Sequence, residues 1–357
     1  MFARRPGCAR VIFMSAAFNQ IVDEIVRAAL VEDRSFGDLL PRLMREAQAV
    51  PVAAKAAALP RMAEGIREAP VNLGGWLAVV SGAWIEDGAD PDPVGPAVVH
   101  RLTEATAAAL AFGNAWTEAT GGKPPDMEEE QPSQQVFDTV RPVLGDGTVT
   151  AMMSWFALPQ FAMASSTVLQ TSPATRTGLD DRDFRAFAAG KAAEYLPHMD
   201  HVQALLRVLD GERILVLDRA TRHGWTVTIG GIGDNFQLHM LLGGALIGRP
   251  GCMPGTPPPA EIVASFLDAD VPPGPPIASS PWNLVDAHGE WIYNEGVPAD
   301  IPAVNGTRVV VLDPPSYERT FPAGRRFPRM PATLRVDGMH LPDDLAGWWS
   351  HIAPATR

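Results

Sequence analysis

The segment that most constrains the fold of this chain is Ile214–Ile247, in which two strand patterns, a glycine turn and a helix follow one another without a gap. Arg213–Leu217 and Trp225–Ile229 are apolar, β-branched runs joined by a short polar segment, which predicts an antiparallel hairpin. After the glycines the apolar spacing becomes helical, with Asp234 or Asn235 as the N-cap. The segment therefore requires a sheet with a helix directly behind it.

The sequence before residue 210 is dominated by helical periodicity. Phe18, Ile21 and Val22 begin an apolar face at the spacing of one side of a helix. The segment 73–86 is apolar on all sides, which is typical of a helix at the centre of a helical layer. The segment 94–120 is rich in alanine and is closed by a glycine, as expected for one long helix. These patterns predict four or five antiparallel helices there, with more helix towards residue 209.

Together the two regions predict an α+β protein, in which an N-terminal multi-helix region packs on a small, mainly antiparallel sheet in the C-terminal part. At 357 residues, and with roughly 100–200 residues per domain, two domains are expected. The predicted division is a disordered extension over residues 1–13, an all-helical domain over 14–209 and an α+β domain over 210–357.

Two further segments of the helical region carry specific predictions. Residues 148–175 contain no charged side chain, and we predict two buried core helices meeting at Pro159 rather than a membrane span, because serine and threonine dilute the hydrophobicity. Residues 121–135 combine glycine, proline and an acidic run. They predict an exposed linker or long loop without an apolar anchor.

Charge and cysteine content narrow the classes of function. The formal net charge of −12 disfavours a nucleic-acid partner, because binding to phosphates needs clustered lysine and arginine. Cys8 and Cys252 are too few for a disulfide framework, which predicts a reducing, cytoplasmic setting. The preference for arginine over lysine, with abundant alanine, proline and glycine, favours a bacterial origin. The sequence shows no cofactor motif, so none is expected.

Three groups of residues resemble chemical sites, and each has a structural explanation that we favour. Glu194, His198 and His201 have the spacing of metal ligands on one helical face, but Pro197 should break that helix, so no metal site is predicted. The glycines at 231 and 233 lie between a strand and a helix, like part of a phosphate-binding turn. The third glycine of a dinucleotide fingerprint is missing, which favours a capped turn.

The third group is Asp286, His288 and Glu290, whose alternation would place three polar side chains on one face of a strand as acid, base and orienting group. Asp286 and Gly289 are also typical residues of a hairpin turn. We therefore predict a hairpin with its tip at residues 287–289 rather than a catalytic trio.

The favoured candidate site combines two segments. Trp291, Tyr293, Asn294 and Glu295 lie where a predicted strand ends and the chain turns, and aromatic rings beside an amide and a carboxylate suit recognition of an organic ligand or a peptide. The alternative left open is that the aromatic rings pack on the core and the carboxylate caps the loop. From the helix after the glycines, we add a polar set to the candidate site: Asp234, Asn235 and His239.

A basic patch completes the prediction. Residues 317–329 bring four arginines together with three aromatic side chains in an otherwise acidic protein. Arginine beside aromatic rings is typical of surfaces that bind carboxylates, phosphates or acidic peptides. We include Arg319 and Arg325 as candidate ligand-binding residues. Salt bridges to the acidic run at 128–130 or to another domain remain an equal alternative.

Two stretches, DNFQLHMLL at Asp234–Leu242 and WIYNEGVPADIPAVNGTRVVVLDPP at Trp291–Pro315, resemble a family of uncharacterised bacterial proteins of similar length. The resemblance is best in the C-terminal third. The family has no assigned activity, so the resemblance implies no catalytic residue. It implies only that the two stretches face a shared site.

The leading hypothesis is a non-catalytic binding or accessory protein that recognises a peptide or a small organic ligand, with bacterial specialised-metabolite biosynthesis as its hypothetical setting. The alternative is an enzyme, a hydrolase that uses Glu295 and Asp234 with His239 in a cleft between the domains. A third hypothesis, a structural oligomer subunit, requires a large exposed apolar patch. The sequence leaves the ligand and the oligomeric state open.

Overall fold

The computed structural model describes residues 6–271 and 273–356, and the chain divides into two compact units, Met1–Leu206 and Arg207–Arg357. The sequence placed this boundary three residues later, between 209 and 210. Residues 1–5 of the predicted extension lie outside the described residues, and the first helix begins at Pro6.

The first unit is built from helices in its described part. Their bounds are α1 Pro6–Leu30, α2 Phe36–Gln48, α3 Val52–Glu68, α4 Val71–Glu86, α5 Gly95–Thr120, α6 Gln134–Leu144, α7 Thr148–Thr171, α8 Pro173–Thr177, α9 Arg182–Ala192 and α10 Met199–Leu206. The uncharged helix α7 packs against α4 and α5. Gly75 on α4 permits this approach, because a Cβ atom there would lie 3.3 Å from Gln160 Cβ and 3.4 Å from the Phe161 ring.

Helix α7 corrects the prediction of two helices that meet at Pro159, since one continuous helix includes that proline. A proline inside a helix loses one backbone hydrogen bond, and here burial of the apolar residues on both sides keeps the helix together. Among the described residues, no helix has both the length and the apolar content needed to cross a membrane.

The loop before α6 is also more firmly held than its composition predicts. Met127 is buried, and the carbonyl of Pro125 accepts a hydrogen bond of 2.9 Å from Trp155 Nε1. The prediction that this segment lacks an apolar anchor is therefore wrong.

The second unit contains a mixed sheet with helices and loops around it. Its elements are β1 Asp210–Asp218, β2 Gly224–Gly230, α11 Asn235–Leu246, α12 Ala260–Leu267, β3 Ile277–Ser279, β4 Asn283–Val285, β5 Ala303–Val304, β6 Thr307–Asp313, β7 Thr320–Pro322, β8 Thr333–His340 and α13 Ala346–Trp349. The main sheet has the order β4-β6-β1-β2-β8, with β5 also paired to β6, and β3 pairs with β7. The α+β prediction is confirmed.

Strand pairing confirms the predicted hairpin, because β1 and β2 are antiparallel with Ile214 opposite Val227. The central pair was not predicted, since β1 and β6 run parallel from Ile214↔Arg308 to Asp218↔Leu312. Parallel neighbours end at the same edge of a sheet. The carboxyl ends of β1 and β6 therefore lie side by side, which positions the site described below.

Each face of this sheet has its own apolar core. One core contains Val216, Trp225 and Leu312 together with Leu238 and Leu242 of α11. The other contains Leu217 and Val311 with residues of the C-terminal segment, Leu345, Trp348 and Ile352. Alternating side chains along β1 and β6 therefore face opposite cores, as the two-residue period of a strand requires.

Candidate functional site

The start of α11 is tied to the loop that follows Trp291. Asp234 caps the helix by accepting a hydrogen bond from the backbone N–H of Gln237 at 2.9 Å. The backbone N–H of Asn235 donates to the carbonyls of Asn294 at 3.0 Å and Gly296 at 2.9 Å, and its side chain donates to the carbonyl of Tyr293 at 2.8 Å. The structure thus brings together the two segments from which the predicted site was built.

Most of these contacts use the backbone of the loop and serve to fix it. Asn294 is buried, whereas the Tyr293 side chain is 77% exposed and points away from any core. Burial raises the pKa of Asp234, and the negative charge of Glu295 adds a smaller effect in the same direction. Within this predicted group, the asparagines therefore have a structural role, and Tyr293 presents its ring to solvent.

His239 lies one turn further along α11 and has no solvent exposure. Neither ring nitrogen makes a hydrogen bond of good geometry, although the Asn294 side chain and the Trp282 backbone lie near them, and the ring stacks parallel to Trp282 with 6.3 Å between centroids. Burial lowers the pKa of His239 to about 4, and the charge of Arg319 lowers it as well. The Asn294 side chain and the Trp282 backbone act in the opposite direction. The imidazole is therefore neutral at physiological pH.

Arg319 forms a stack with two aromatic rings. Its guanidinium lies 4.3 Å from the centroid of Trp291 and 4.8 Å from that of Tyr317. Tyr317 is exposed and Arg319 is half-buried, so the stack, which we call the Trp291–Arg319–Tyr317 cluster, presents an aromatic and cationic surface. This part of the predicted basic patch is available for recognition.

Arg325 has a different role. Its guanidinium donates to the carbonyl of Ala269 at 3.0 Å and to that of Pro328 at 2.7 Å, so it binds the loop 321–330 to the chain that follows α12. Burial lowers the pKa of Arg325, while Asp268 and Asp270 oppose this effect. The structure therefore gives Arg325 a loop-fixing role, and its guanidinium is largely committed to backbone carbonyls.

Asp234 and Arg325 also line a cavity of about 670 Å³, together with Phe236, Phe321 and Arg326. Burial raises the pKa of Asp234 to about 6, against the lowering effects of the Gln237 N–H and of Arg326. Glu295 and His239 do not line this cavity. The three-residue arrangement required for the hydrolase hypothesis is therefore not found in it.

A second cavity, which the sequence did not indicate, lies where β1 and β6 end side by side. It has a volume of about 540 Å³, and we call it the strand-end cavity. Its walls are mainly apolar and aromatic, with two carboxylates at the ends of the strands. Six of its lining residues define its chemistry: Asp218, Trp225, Cys252, Met253, Trp282 and Asp313.

The two carboxylates differ in how they are held. Asp218 accepts hydrogen bonds from the Thr221 hydroxyl at 2.5 Å and the Thr221 N–H at 3.2 Å, which closes the turn between β1 and β2. Asp313 uses only Oδ1, which accepts from Arg219 Nε at 2.5 Å, while its buried Oδ2 has no partner. The indole N–H of Trp225 is also buried and unpartnered. Both unpartnered atoms are buried, so neither is open to the cavity in this structure.

One sequence signal could have pointed to this cavity. Both strands end in the same three residues, Val-Leu-Asp, at 216–218 and 311–313. The register sets Asp218 opposite Leu312, so the two aspartates are offset by one residue at a shared edge. Carboxylates at the ends of two strands become neighbours only if the strands are parallel and adjacent. The local sequence of either strand does not reveal that pairing.

The disfavoured groups have structural explanations. Asp286 accepts from the backbone N–H groups of His288 at 2.8 Å and Glu290 at 3.0 Å, so it holds the predicted hairpin turn. Gly231 has φ +66°, and a Cβ atom there would lie 2.2 Å from the carbonyl oxygen of Pro331, which explains the glycine without a phosphate.

The histidines of the first unit do not lie on one helix with Glu194. Helix α9 ends before Pro197 and α10 begins after it, as the sequence predicts. His198 Nε2 lies 2.9 Å from the Ser166 hydroxyl, and its ring stacks on His201 at 5.5 Å. Within residues 6–271 and 273–356, no group of three or more histidine, cysteine or acidic side chains is arranged to hold a metal ion.

Comparison with known proteins adds no further constraint, because no family model, no curated protein and no solved structure matches this chain.

Proposed function

We propose that this chain is a binding protein for a small organic ligand and that the ligand occupies the strand-end cavity. The observation that carries the proposal is a cavity of about 540 Å³ with a mainly apolar lining at the carboxyl ends of two parallel strands. Ligand pockets in proteins have this size and are mainly apolar with few polar groups. In sheets with parallel strands, ligands commonly bind beyond the carboxyl ends.

The proposal keeps the expectation of a non-catalytic protein but moves the ligand away from Trp291. Trp225 and Trp282 form a buried aromatic floor beneath the cavity, and the partly exposed Met253 adds a flexible side chain that can adapt to a ligand's shape. Asp218 is engaged in a turn, which supports a binding role for the cavity rather than a pair of free catalytic carboxylates. The cytoplasmic location and the metabolite-pathway setting stay predictions.

The test is a screen of small organic compounds by tryptophan fluorescence, followed by a blocked variant. Ala220 lines the cavity and is exposed in the turn after β1, so Ala220→Trp should fill the cavity without disturbing either core. Ala303→Trp, at an exposed site on β5 outside these walls, is the matched control. Compounds that bind wild type should lose affinity for A220W and keep it for A303W. Equal binding to wild type and A220W would overturn the proposal.

The Trp291–Arg319–Tyr317 cluster favours a second candidate function, the binding of an acidic peptide segment. A partly buried guanidinium between two aromatic rings is a typical anchor for carboxylates in protein interfaces. An acidic peptide library tested against wild type and Arg319→Ala should separate this candidate from the first. Peptide binding that survives in R319A would exclude it.

A further inference from the structure

We propose that the second unit holds a further ligand site, which binds an uncharged, hydroxyl-rich molecule, a saccharide. The site is a cavity of about 570 Å³, which we call the sheet-face cavity. Its lining includes Leu215, Leu345 and Trp348, which pack in the core that also contains Leu217 and Val311. The inference goes beyond the proposed function, because among the described residues the sheet-face cavity shares no lining side chain with the strand-end cavity.

The lining of the sheet-face cavity offers both donors and acceptors of hydrogen bonds. An ionised carboxylate only accepts and a guanidinium only donates, whereas hydroxyl and imidazole groups can do both. The side chains that carry these groups are exposed or half-buried, so they can reach a ligand, unlike the buried carboxylates of the strand-end cavity. They are Glu212, Arg213, Thr226, Thr307, His340 and Asp344.

Several of these side chains are already held in position and keep capacity for a ligand. The Thr226 hydroxyl lies 2.8 Å from His340 Nε2, which leaves Nδ1 of the ring for another partner. Glu212 pairs with Arg308 through Oε1 at 3.3 Å, and Asp344 accepts a backbone N–H through Oδ2 at 3.2 Å. In each carboxylate the second oxygen remains for a ligand. Side chains fixed in this way lose little conformational freedom when a ligand binds.

The balance of charges and the indole ring decide the class of ligand. Two carboxylates, one guanidinium and one imidazole line the cavity, so an ion of either sign meets a repelling group. A purely apolar ligand would displace water from these groups without replacing their hydrogen bonds, which costs free energy. The hydroxyls of a sugar both donate and accept, and its C–H face can pack on the partly exposed Trp348 ring. The lining therefore fits a saccharide.

The test is titration calorimetry of the full chain at pH 7.5 with neutral saccharides. Glucose, galactose, mannose and N-acetylglucosamine represent free sugars, and maltose, lactose and cellobiose represent the end of a longer glycan. At least one of these probes should bind, and the charged sugars glucosamine and glucuronate should bind no more tightly than glucose. Tighter binding of a disaccharide than of its monosaccharides would assign the site to glycan chains, and equal binding would assign it to free sugars.

Two pairs of variants locate the binding. Trp348→Ala removes the indole of the cavity, whereas Trp349→Ala removes its neighbour, which packs on the same core outside the lining. Arg213→Ala removes a donor, and Arg335→Ala removes another exposed arginine that does not line the cavity. W348A and R213A should weaken binding by about five- to tenfold, as expected for the loss of one stacking contact or one hydrogen bond. W349A and R335A should bind as wild type does, and thermal unfolding curves check that all four variants fold.

The inference fails if no neutral saccharide binds wild type, or if W348A and R213A bind like their controls. It also fails if glucosamine or glucuronate binds more than about tenfold more tightly than glucose, because the ligand would then be an ion. Saccharide binding should persist in A220W, since Ala220 lines only the strand-end cavity of the two. Loss of saccharide binding in A220W would place the sugar in the strand-end cavity and overturn the inference while leaving the proposed function in place.

Discussion

The helical unit and the sheet unit differ most clearly in how they satisfy buried polar side chains. In the helices, the hydroxyls of Ser81 and Thr106 donate to backbone carbonyls one turn earlier, at 2.8 and 2.7 Å. Among the described residues of this unit, the unpartnered buried side-chain atoms belong to Arg101 and Ser165. The sheet unit contains many more, among them atoms of Trp225, Asn235, His239, Ser280, Asn283, Asp313 and Arg319.

This difference has a physical cause. A serine or threonine in a helix finds an acceptor on its own preceding turn, so burial costs little. A polar side chain in a strand or a loop has no such regular partner on a preceding turn, so it must find one elsewhere in the chain, in a water molecule or in a ligand. Buried polar atoms without partners are therefore concentrated in the sheet unit, the unit in which we propose that the ligand binds.

The largest effect should come from breaking the core of the helical unit. Phe161 on α7 is fully buried against α4, and Phe161→Ala should lower the free energy of unfolding by about 3–5 kcal/mol. Met163→Ala, on an exposed position of the same helix, should change it by less than about 0.5 kcal/mol. Chemical denaturation followed by circular dichroism measures both.

If the sheet unit alone binds the ligand, F161A should bind it in the strand-end cavity as tightly as wild type does, under conditions where the variant is folded. A loss of affinity in folded F161A would show that the helical unit contributes to the site.

The second effect concerns His239 and acid stability. Because its folded-state pKa is lowered from 6.5 to about 4, the unfolded state binds the proton first as pH falls. Stability should therefore be lost between about pH 6.5 and 4, by on the order of 3 kcal/mol, and then level off. His239→Gln should reduce this loss, whereas His100→Gln, at an exposed site, should not. An unchanged pH profile of unfolding in H239Q would contradict the assignment.

The third effect is the pH dependence of stability that comes from Asp234, and its sign is opposite to that of His239. The folded-state pKa of Asp234 is raised from 3.8 to about 6, so the folded state holds the proton more tightly and stability is lost as pH rises from about 4 to 6. Asparagine is an equally good N-cap without a charge. Asp234→Asn should therefore stabilise the protein at pH 7.5 by on the order of 1–2 kcal/mol, and Asp234→Ala should fall below D234N by about 1 kcal/mol. Thermal unfolding at pH 7.5 and pH 4 tests both, and a D234N variant less stable than wild type at pH 7.5 would refute the prediction.

The smallest effect is expected at the Trp291–Arg319–Tyr317 cluster. Replacing Arg319 by alanine removes stacking at a partly exposed site, which is worth about 0.5–1 kcal/mol. Replacing Arg325 should cost more, because its guanidinium holds backbone carbonyls after α12. Parallel unfolding curves of R319A and R325A measure the difference. Equal losses would mean that Arg319 is as structural as Arg325.

The sequence predicted parts of the candidate site but not its centre. The link between Asp234–Leu242 and the Trp291 loop was expected, and hydrogen bonds from Asn235 to Tyr293 and Asn294 realise it. The role of Arg325 was not foreseeable, because an arginine beside aromatic residues has the same pattern whether it binds a ligand or a backbone carbonyl. The strand-end cavity was missed because its walls come from five separate stretches of the chain.

The sequence by itself determined the change from helices to sheet near residue 210, the β1–β2 hairpin and a cap of α11 at Asp234 or Asn235, of which the structure uses Asp234. All three depend on neighbouring residues, through periodicity, turn chemistry and capping. Only the tertiary structure decided that β6 lies parallel to β1, because pairing between strands nearly 90 residues apart leaves no local pattern. That one pairing sets Asp218 and Asp313 at the same edge, and it creates the cavity to which we assign the ligand.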